Sequence, residues 1–506
     1  MFLALLLAVA LSNPAACENL KSLSLPNTTI TSAQPAAAGP FIPPAAPGAG
    51  GPPPGPVQLP PHCRVSAVAK PSPDSNIEFE VWLPENWNGK FEAVGGGGWA
   101  GVISYPAMSI ALQEGYATAS TDTGHKGGNA LFAIDHPEKL TDFAYRAIHE
   151  MTVQAKAIIS AYYSRAPRLS YFNGCSTGGR QGLMEAQKFP EDFDAIVAGA
   201  PANYQTHLHV WDLSVSVPVL KNPVAAVSAE TLALVNKAVL QACDAHDGIT
   251  DGILNDPRAC KFDVSTLQCK QGDAQTCLTA AQVEAVQRVY EPAKTASGEV
   301  VFPGKEFGSE TGWIGVLGGQ QAPGVSVGSF LVAYNDAKWD AKTFDLNRDL
   351  KIVDEKVGVP VNAINPDLRA FKARGGKLIL YHGWNDTAIS PGNTINYYES
   401  VLAKMGTKRA KVGPVTAAFR SDQDDWIRLF MAPGMQHCGG GPGPNQINWM
   451  AALERWRESG IAPNQVEAVH IANNRVDMTR PLCAYPQQAV YKGTGSTNDA
   501  QNFVCK

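Results

Sequence analysis

The strongest constraint in the chain is a five-residue turn, Gly174-Cys175-Ser176-Thr177-Gly178, set between an apolar run, Leu169 to Phe172, and a helical stretch, Arg180 to Lys188. Glycines flanking a central serine let the backbone turn sharply and lift a hydroxyl above the edge of a sheet. The pentapeptide alone is a common turn; a strand before it and a helix after it make Ser176 a candidate nucleophile. Strand and helix patterns alternate around it. Glu78 to Leu83, Lys90 to Val94 and Tyr116 to Ser120 are short, apolar or alternating, and bounded by Pro and Gly. From Pro137 to Ser164 apolar residues recur at helical spacing (Ile148, Met151, Ala155, Ile158, Ile159), which predicts a long amphipathic helix. Asp194 to Ala198 reads as the next strand. The alternation predicts a mainly parallel, three-layer α/β sheet.

Between about Asn203 and Pro366 the alternation stops, and this segment holds four of the ten cysteines. It resumes with a strand at Lys377 to Tyr381, a helix near Asn393 to Met405, a strand at Arg428 to Met431 and a helix at Asn448 to Ser459. One sheet interrupted by a lid fits this better than tandem domains, giving a catalytic domain of residues 17–202 and 367–506 and a lid of 203–366. A chain of 506 residues is long enough for such an insertion. Residues 35–61 are a Pro/Ala/Gly tract, expected to lie as an irregular surface segment.

Residues 1–16 read as a signal peptide: an apolar run ends in small residues around Ala15 and Ala16, and it is too short to span a bilayer. The ten cysteines are even in number and none forms a CxxC pair, so in an exported chain they predict disulfides rather than metal or redox thiols. A secreted or periplasmic protein follows, with no membrane association after signal cleavage. Lipidation of Cys17 is the alternative, but Pro14 stands where such motifs carry Leu. The net charge of −5, with no basic patch, argues against a nucleic-acid partner.

A nucleophilic serine needs a base and the base an orienting acid, which in this type of sheet follow in the order Ser, Asp, His. Asp386 and His437 each lie just past a strand, where an α/β sheet places its site. Alone, Asp386 reads equally well as a loop or cap acid. His437 stands out because Cys438 follows it as Cys175 precedes Ser176. A bond between these cysteines would hold their Cα atoms about 5 to 6 Å apart and bring Ser176 and His437 together. The alternative is that each pairs elsewhere or stays a buried thiol. His382 is a rival base that fits better as packing at its strand end; His207 and His209 read as surface or substrate-cleft residues.

Backbone N–H groups for an oxyanion are expected from Thr177 and from the glycine run Gly95 to Gly98 that follows a strand, with Gly97 and Gly98 the candidates. No Lys follows the run as in a phosphate-binding loop. In the lid, Cys243 to Ile253 crowds Asp244, Asp247 and Asp251 around turn glycines. Hard oxygen donors at this density suit Ca²⁺, at a spacing unlike an EF-hand; an acidic surface turn is the plain alternative.

Together, Gly-Cys-Ser-Thr-Gly-Gly-Arg-Gln-Gly at 174–182, the Asp-rich loop at 244–253 and Gln436-His437-Cys438 resemble the signature of the tannase and feruloyl esterase family, which includes the mono(hydroxyethyl) terephthalate hydrolases. The resemblance implies an α/β-hydrolase fold with a large lid insertion. It also implies Ser176 as nucleophile, His437 as base and acid, Asp386 orienting His437, and a Cys175–Cys438 disulfide. It implies structural Ca²⁺ on Asp244, Asp247 and Asp251 with backbone oxygens of Ile249 and Ile253, and no organic cofactor. The remaining pairs it implies are Cys17–Cys63, Cys243–Cys260, Cys269–Cys277 and Cys483–Cys505, which speaks against lipidation of Cys17. The expected activity is hydrolysis of small phenolic or aromatic esters through an acyl-enzyme, feruloyl esters first, galloyl or terephthalate monoesters as alternatives. Lid aromatics such as Trp313 and Tyr334 would stack on the acyl group or form lid core. The rivals are a serine peptidase of similar fold and a non-catalytic ligand-binding protein on the same scaffold.

Overall fold

The computed structural model describes residues 14–44, 55–99, 101–270, 276–406 and 423–506. Most of the expected signal peptide, residues 1–13, lies outside these. Nine strands form the central sheet: β1 (Thr28–Ala36), β2 (His62–Ala69), β3 (Ile77–Pro84), β4 (Lys90–Val94), β5 (Ala117–Thr121), β6 (Leu169–Cys175), β7 (Ala195–Gly199), β8 (Lys377–Gly383) and β9 (Ile427–Ala432). They lie in the order β1-β2-β3-β5-β4-β6-β7-β8-β9. The pairings from β1 to β5 are antiparallel, and every pairing beyond β5 is parallel.

Parallel strands are covered on both faces, so their side chains are buried on both. Strands β5, β7 and β9 are buried at every residue. Alternate residues feed two cores. Phe172, Ile196 and Leu380 join α2 (Ala147–Tyr163), α3 (Thr177–Lys188) and α5 (Pro391–Lys404) in one. Tyr171, Val197 and Ile379 join α1 (Tyr105–Gln113) and α6 (Trp449–Ser459) in the other. This is the three-layer α/β-hydrolase fold, with α4 (Gln205–Lys221) the first helix of the segment between β7 and β8.

The tract at 35–61 departs from the expected irregular path. Its start closes β1, where Pro35 pairs opposite Cys63, and Gly39–Phe41 pairs with Val57–Leu59 as a short ribbon. Proline is tolerated there because β1 is the edge of the sheet, so no ladder hydrogen bond depends on its missing N–H. Residues 45–54 of the tract lie outside the described residues.

The segment between β7 and β8 builds its own core from Trp211, Val235, Val286, Phe330 and Val353. Trp99 and Phe143 of the sheet half join it, stacked with centroids 4.7 Å apart, and the Trp99 indole N–H donates to the Val325 carbonyl at 2.7 Å. Trp313 is buried against Tyr290, and Tyr334 stacks on Trp339 and donates to Asp349. Of the two roles left open for these aromatics, packing in the core of this segment is the one observed. His207 and His209 are not surface or cleft residues but buried on α4. His207 bridges the Val301 carbonyl and Asp354, and His209 bonds Ser329. Their period-2 spacing carried no information because the segment is helical, and both imidazoles are satisfied inside the lid. Among the described residues no helix is long and apolar enough to cross a membrane.

Candidate active site

Strand β6 ends at Cys175 and α3 begins at Thr177, leaving Ser176 alone at the turn with φ 64° and ψ −124°. A non-glycine residue held in such a sparsely populated region is strained by about 1–3 kcal/mol, and three backbone hydrogen bonds hold it there. The Ser176 N–H donates to Gly199, and its carbonyl accepts from Arg180 and Ala202, at 3.0 to 3.1 Å. The flanking glycines are sterically required: a Cβ on Gly174 would sit 2.6 Å from the Gly178 backbone, and one on Gly95 would sit 2.6 Å from Gly178 Cα.

The glycine run is thereby laid against the start of α3. The Gly178 N–H donates to the Gly96 carbonyl at 2.8 Å, and the Thr177 hydroxyl donates to the Gly98 carbonyl at 2.9 Å. The backbone N–H of Thr177 opens the helix and has no intrahelical acceptor. Gly97 and Gly98 face open space at their Cβ positions. His125, buried beneath, holds the Trp99 carbonyl at 2.7 Å and so fixes the far end of the run.

Asp386 lies past the end of β8, fully buried. Its Oδ1 accepts the Ala388 and Ile389 N–H groups, both at 2.8 Å, and its Oδ2 accepts His437 Nδ1 at 2.8 Å and His382 Nε2 at 3.0 Å. Burial opposes ionisation of Asp386, but the two imidazoles outweigh it and hold the carboxyl well below the usual carboxylate range. With its Nε2 proton on Asp386, His382 accepts the Thr394 hydroxyl at Nδ1, 2.7 Å away. His382 is therefore not mere strand-end packing; it is a second imidazole on the same carboxylate. Carbonyls of the segment between β7 and β8 brace this loop: Asn385 donates to Gly308 and Ser390 to Gly304, both at 2.6 Å.

His437 remains partly exposed, in a loop packed so closely on β8 that a Cβ on Gly383 would meet the Met435 carbonyl at 2.2 Å. Cys438, at φ 62°, is bonded to Cys175 with Cα atoms 5.9 Å apart. The residues beside Ser176 and His437 are thus covalently joined across 263 positions of sequence. The other disulfides are Cys17–Cys63, Cys243–Cys260, Cys269–Cys277 and Cys483–Cys505.

In the Asp-rich loop, Asp244 accepts the N–H groups of Asp251 and Gly252, Asp247 that of Ile249, and Asp251 that of Ile253. Burial pushes the Asp247 carboxyl up, and the charges of Asp251 and Asp244 add to this against the Ile249 N–H. Arg480, from the C-terminal ribbon, pairs with Asp251 at 3.0 Å; it is the one ion pair this trio makes among the described residues. Of the three carboxylates, Asp251 alone is ion-paired among the described residues, and Ile249 and Ile253 are buried. A hard-oxygen set under mutual repulsion fits Ca²⁺ in donor chemistry. Nothing in the local sequence signalled Arg480, which lies 229 positions away.

The comparisons with known proteins agree with this fold. The family model "Tannase and feruloyl esterase" matches residues 63–506. An uncharacterized esterase of Xanthomonas campestris pv. campestris is 39% identical over 542 aligned positions, covering 98% of this chain and 92% of that one. A probable feruloyl esterase B-2 of Aspergillus terreus is 34% identical over 464, covering 88% and 86%. The crystal structure of feruloyl esterase B from Aspergillus oryzae superposes with a TM-score of 0.88 at 30% identity, covering 97% of this chain and all of that one. The chain therefore belongs to the tannase and feruloyl esterase family, and it is a carboxylic ester hydrolase.

Proposed function

We propose that Ser176, His437 and Asp386 hydrolyse phenolic esters, feruloyl esters foremost, by acyl transfer. The observation that carries this reading is the continuous path from Asp386 Oδ2 through the His437 imidazole to Cys438, Cys175 and the strained Ser176. With Nδ1–H on Asp386, the imidazole has Nε2 free to take the Ser176 proton as the hydroxyl oxygen attacks the ester carbonyl. The charge that develops on that oxygen is met by the Thr177 N–H and an N–H of Gly97 or Gly98. His437 gives the proton to the leaving alcohol as the ester C–O bond breaks, then takes a proton from the water that attacks the acyl carbon and returns it to Ser176 Oγ as the acid leaves. His382 holds Asp386 as an acceptor throughout without touching the reacting atoms.

The feruloyl assignment rests on what the Aspergillus relatives are named for; galloyl and terephthalate monoesters are the alternatives, because the lid decides the acyl group. A panel of methyl ferulate, methyl gallate and mono(hydroxyethyl) terephthalate tests it. The largest kcat/KM is expected on ferulate, and a preference for gallate or terephthalate would replace that assignment while leaving the chemistry intact. With five disulfides and no free cysteine, the enzyme is suited to an oxidising compartment outside the cytosol.

We further propose that Asp244, Asp247 and Asp251, with the Ile249 and Ile253 carbonyls, hold a structural Ca²⁺. The ion would neutralise the loop's charge and tie the lid to the C-terminal ribbon beside Arg480. A ligand that binds only the folded state stabilises by mass action, roughly 3 kcal/mol at a hundredfold excess over Kd. Removal of calcium by EGTA is expected to lower Tm by several degrees, reversibly on adding Ca²⁺. An unchanged melting curve would rule the ion out.

A further inference from the structure

The nucleophile helix has a second cluster of ionisable groups at its other end. Glu185 lies nine residues beyond Ser176, roughly 13 Å along the axis at 1.5 Å per residue, and so outside the catalytic centre. It meets His149 from the first turn of α2 and Asp192 from the loop after α3. One ligand atom from each of the three falls within 4.8 Å of the other two, the one such group of three or more among the described residues.

Two features set this cluster apart from an ordinary acidic patch. Glu185 is 1% exposed, and no donor group reaches either of its carboxylate oxygens; the side chain within hydrogen-bond range is Asp192, which could bond it only through a shared proton. A buried carboxylate without a donor costs several kcal/mol, so such a group asks for an explanation. Its polar neighbour is another carboxylate, Asp192, itself 3% exposed. Lys156, buried nearby, sets a cationic charge against Glu185 and Asp192 but gives Glu185 no hydrogen bond; its ammonium donates to the backbone carbonyl of Asp192. His149 donates or accepts at Nδ1, 2.6 Å from Asp192 Oδ2, and its ring stacks on Phe189 with centroids 3.9 Å apart. Its side chain is 26% exposed, so the cluster opens to solvent on the histidine side.

We propose that His149, Glu185 and Asp192 form a site for a divalent transition-metal ion of the zinc class. One imidazole and two carboxylates supply three borderline-to-hard donors, and the solvent side leaves a fourth position for water. Imidazole disfavours Ca²⁺ and Mg²⁺, which take oxygen ligands, so this site differs in selectivity from the Asp-rich loop of the lid. The ion would replace the missing donors of Glu185 and fasten the end of the nucleophile helix to α2, a structural role away from the substrate. The competing account is a proton held between Glu185 and Asp192, which leaves no ion to bind.

The full-length enzyme, kept in calcium and stripped of transition metals with a zinc-selective chelator, is titrated with ZnCl₂ by calorimetry, with metal content checked by mass spectrometry. One zinc per chain is expected in the wild type. Glu185→Gln and His149→Phe are each expected to weaken binding on the order of tenfold or more; the first keeps the shape, the second the stacking on Phe189. Co²⁺ should give a visible ligand-field band in the wild type that both variants lose. Near-UV circular dichroism confirms that each variant is folded. No uptake by the wild type, or wild-type affinity in both folded variants, overturns the proposal, the first result in favour of the shared proton.

Discussion

Ser176→Ala is expected to lose ester hydrolysis by a factor of roughly 10⁴ to 10⁶, leaving a residue of rate from the oxyanion donors and binding alone. The turn itself should survive. Its strain is held by main-chain bonds to Gly199, Arg180 and Ala202, none of which involves the hydroxyl. The variant should therefore melt within a degree or two of the wild type and still bind substrate. Because the three side chains act as one unit, Ser176→Ala combined with His437→Ala should be no slower than the worse single variant. A Ser176→Ala enzyme with wild-type rates on methyl ferulate would remove the serine mechanism altogether.

The second large effect is expected from cutting the clamp with Cys175→Ser and Cys438→Ser together. Chain-entropy counting for a loop of this length gives roughly 5 kcal/mol of lost stability, an upper figure because other disulfides already constrain the unfolded chain. The catalytic loss should be more telling than the melting shift. His437 sits in a glycine-rich loop, with Gly434, Gly439, Gly440 and Gly441 at positive φ; main-chain bonds from Gln436 to Gly440 and from Asn385 to Met435 fix the loop, while the imidazole itself is held by Asp386 and by the disulfide at the next residue. A misplacement of about 1 Å costs roughly a hundredfold in rate. The measurement is kcat for the double variant at a temperature where circular dichroism shows it folded. An unchanged kcat there would mean that packing of the loop against β8 suffices.

Much of this centre was legible because its signals are local. The turn at Ser176 carries its own strand and helix, and the Cys-Ser and His-Cys neighbours mark each other without any structure. Parallel strands read well for a related reason: burial on both faces gives short apolar runs such as β7 and β9, placed from sequence to within a residue or two. What escaped depends on contacts between distant segments. His382 looks like any strand-end histidine until the turn after β8 folds back to put Asp386 beside it. The first strand was hidden because Pro35 argues against a strand, and only its place at the sheet edge makes that proline harmless. The Glu185 cluster was equally silent, since a glutamate and a histidine on two helices have no spacing in sequence that announces their meeting.

The disulfide beside Ser176 also bears on how the chain is made. The other bridges span 8, 17, 22 and 46 positions, so their partners emerge close together from the ribosome. Cys175 must instead wait while Cys243, Cys260, Cys269 and Cys277 all pass it. Sequential pairing in order of appearance would join Cys175 to Cys243, so a chain oxidised in that order reaches the native set only by disulfide exchange. A molecule mispaired at Cys175 or Cys438 would lack the bridge beside Ser176 and His437, so specific activity doubles as an assay of that one pairing in any expression host.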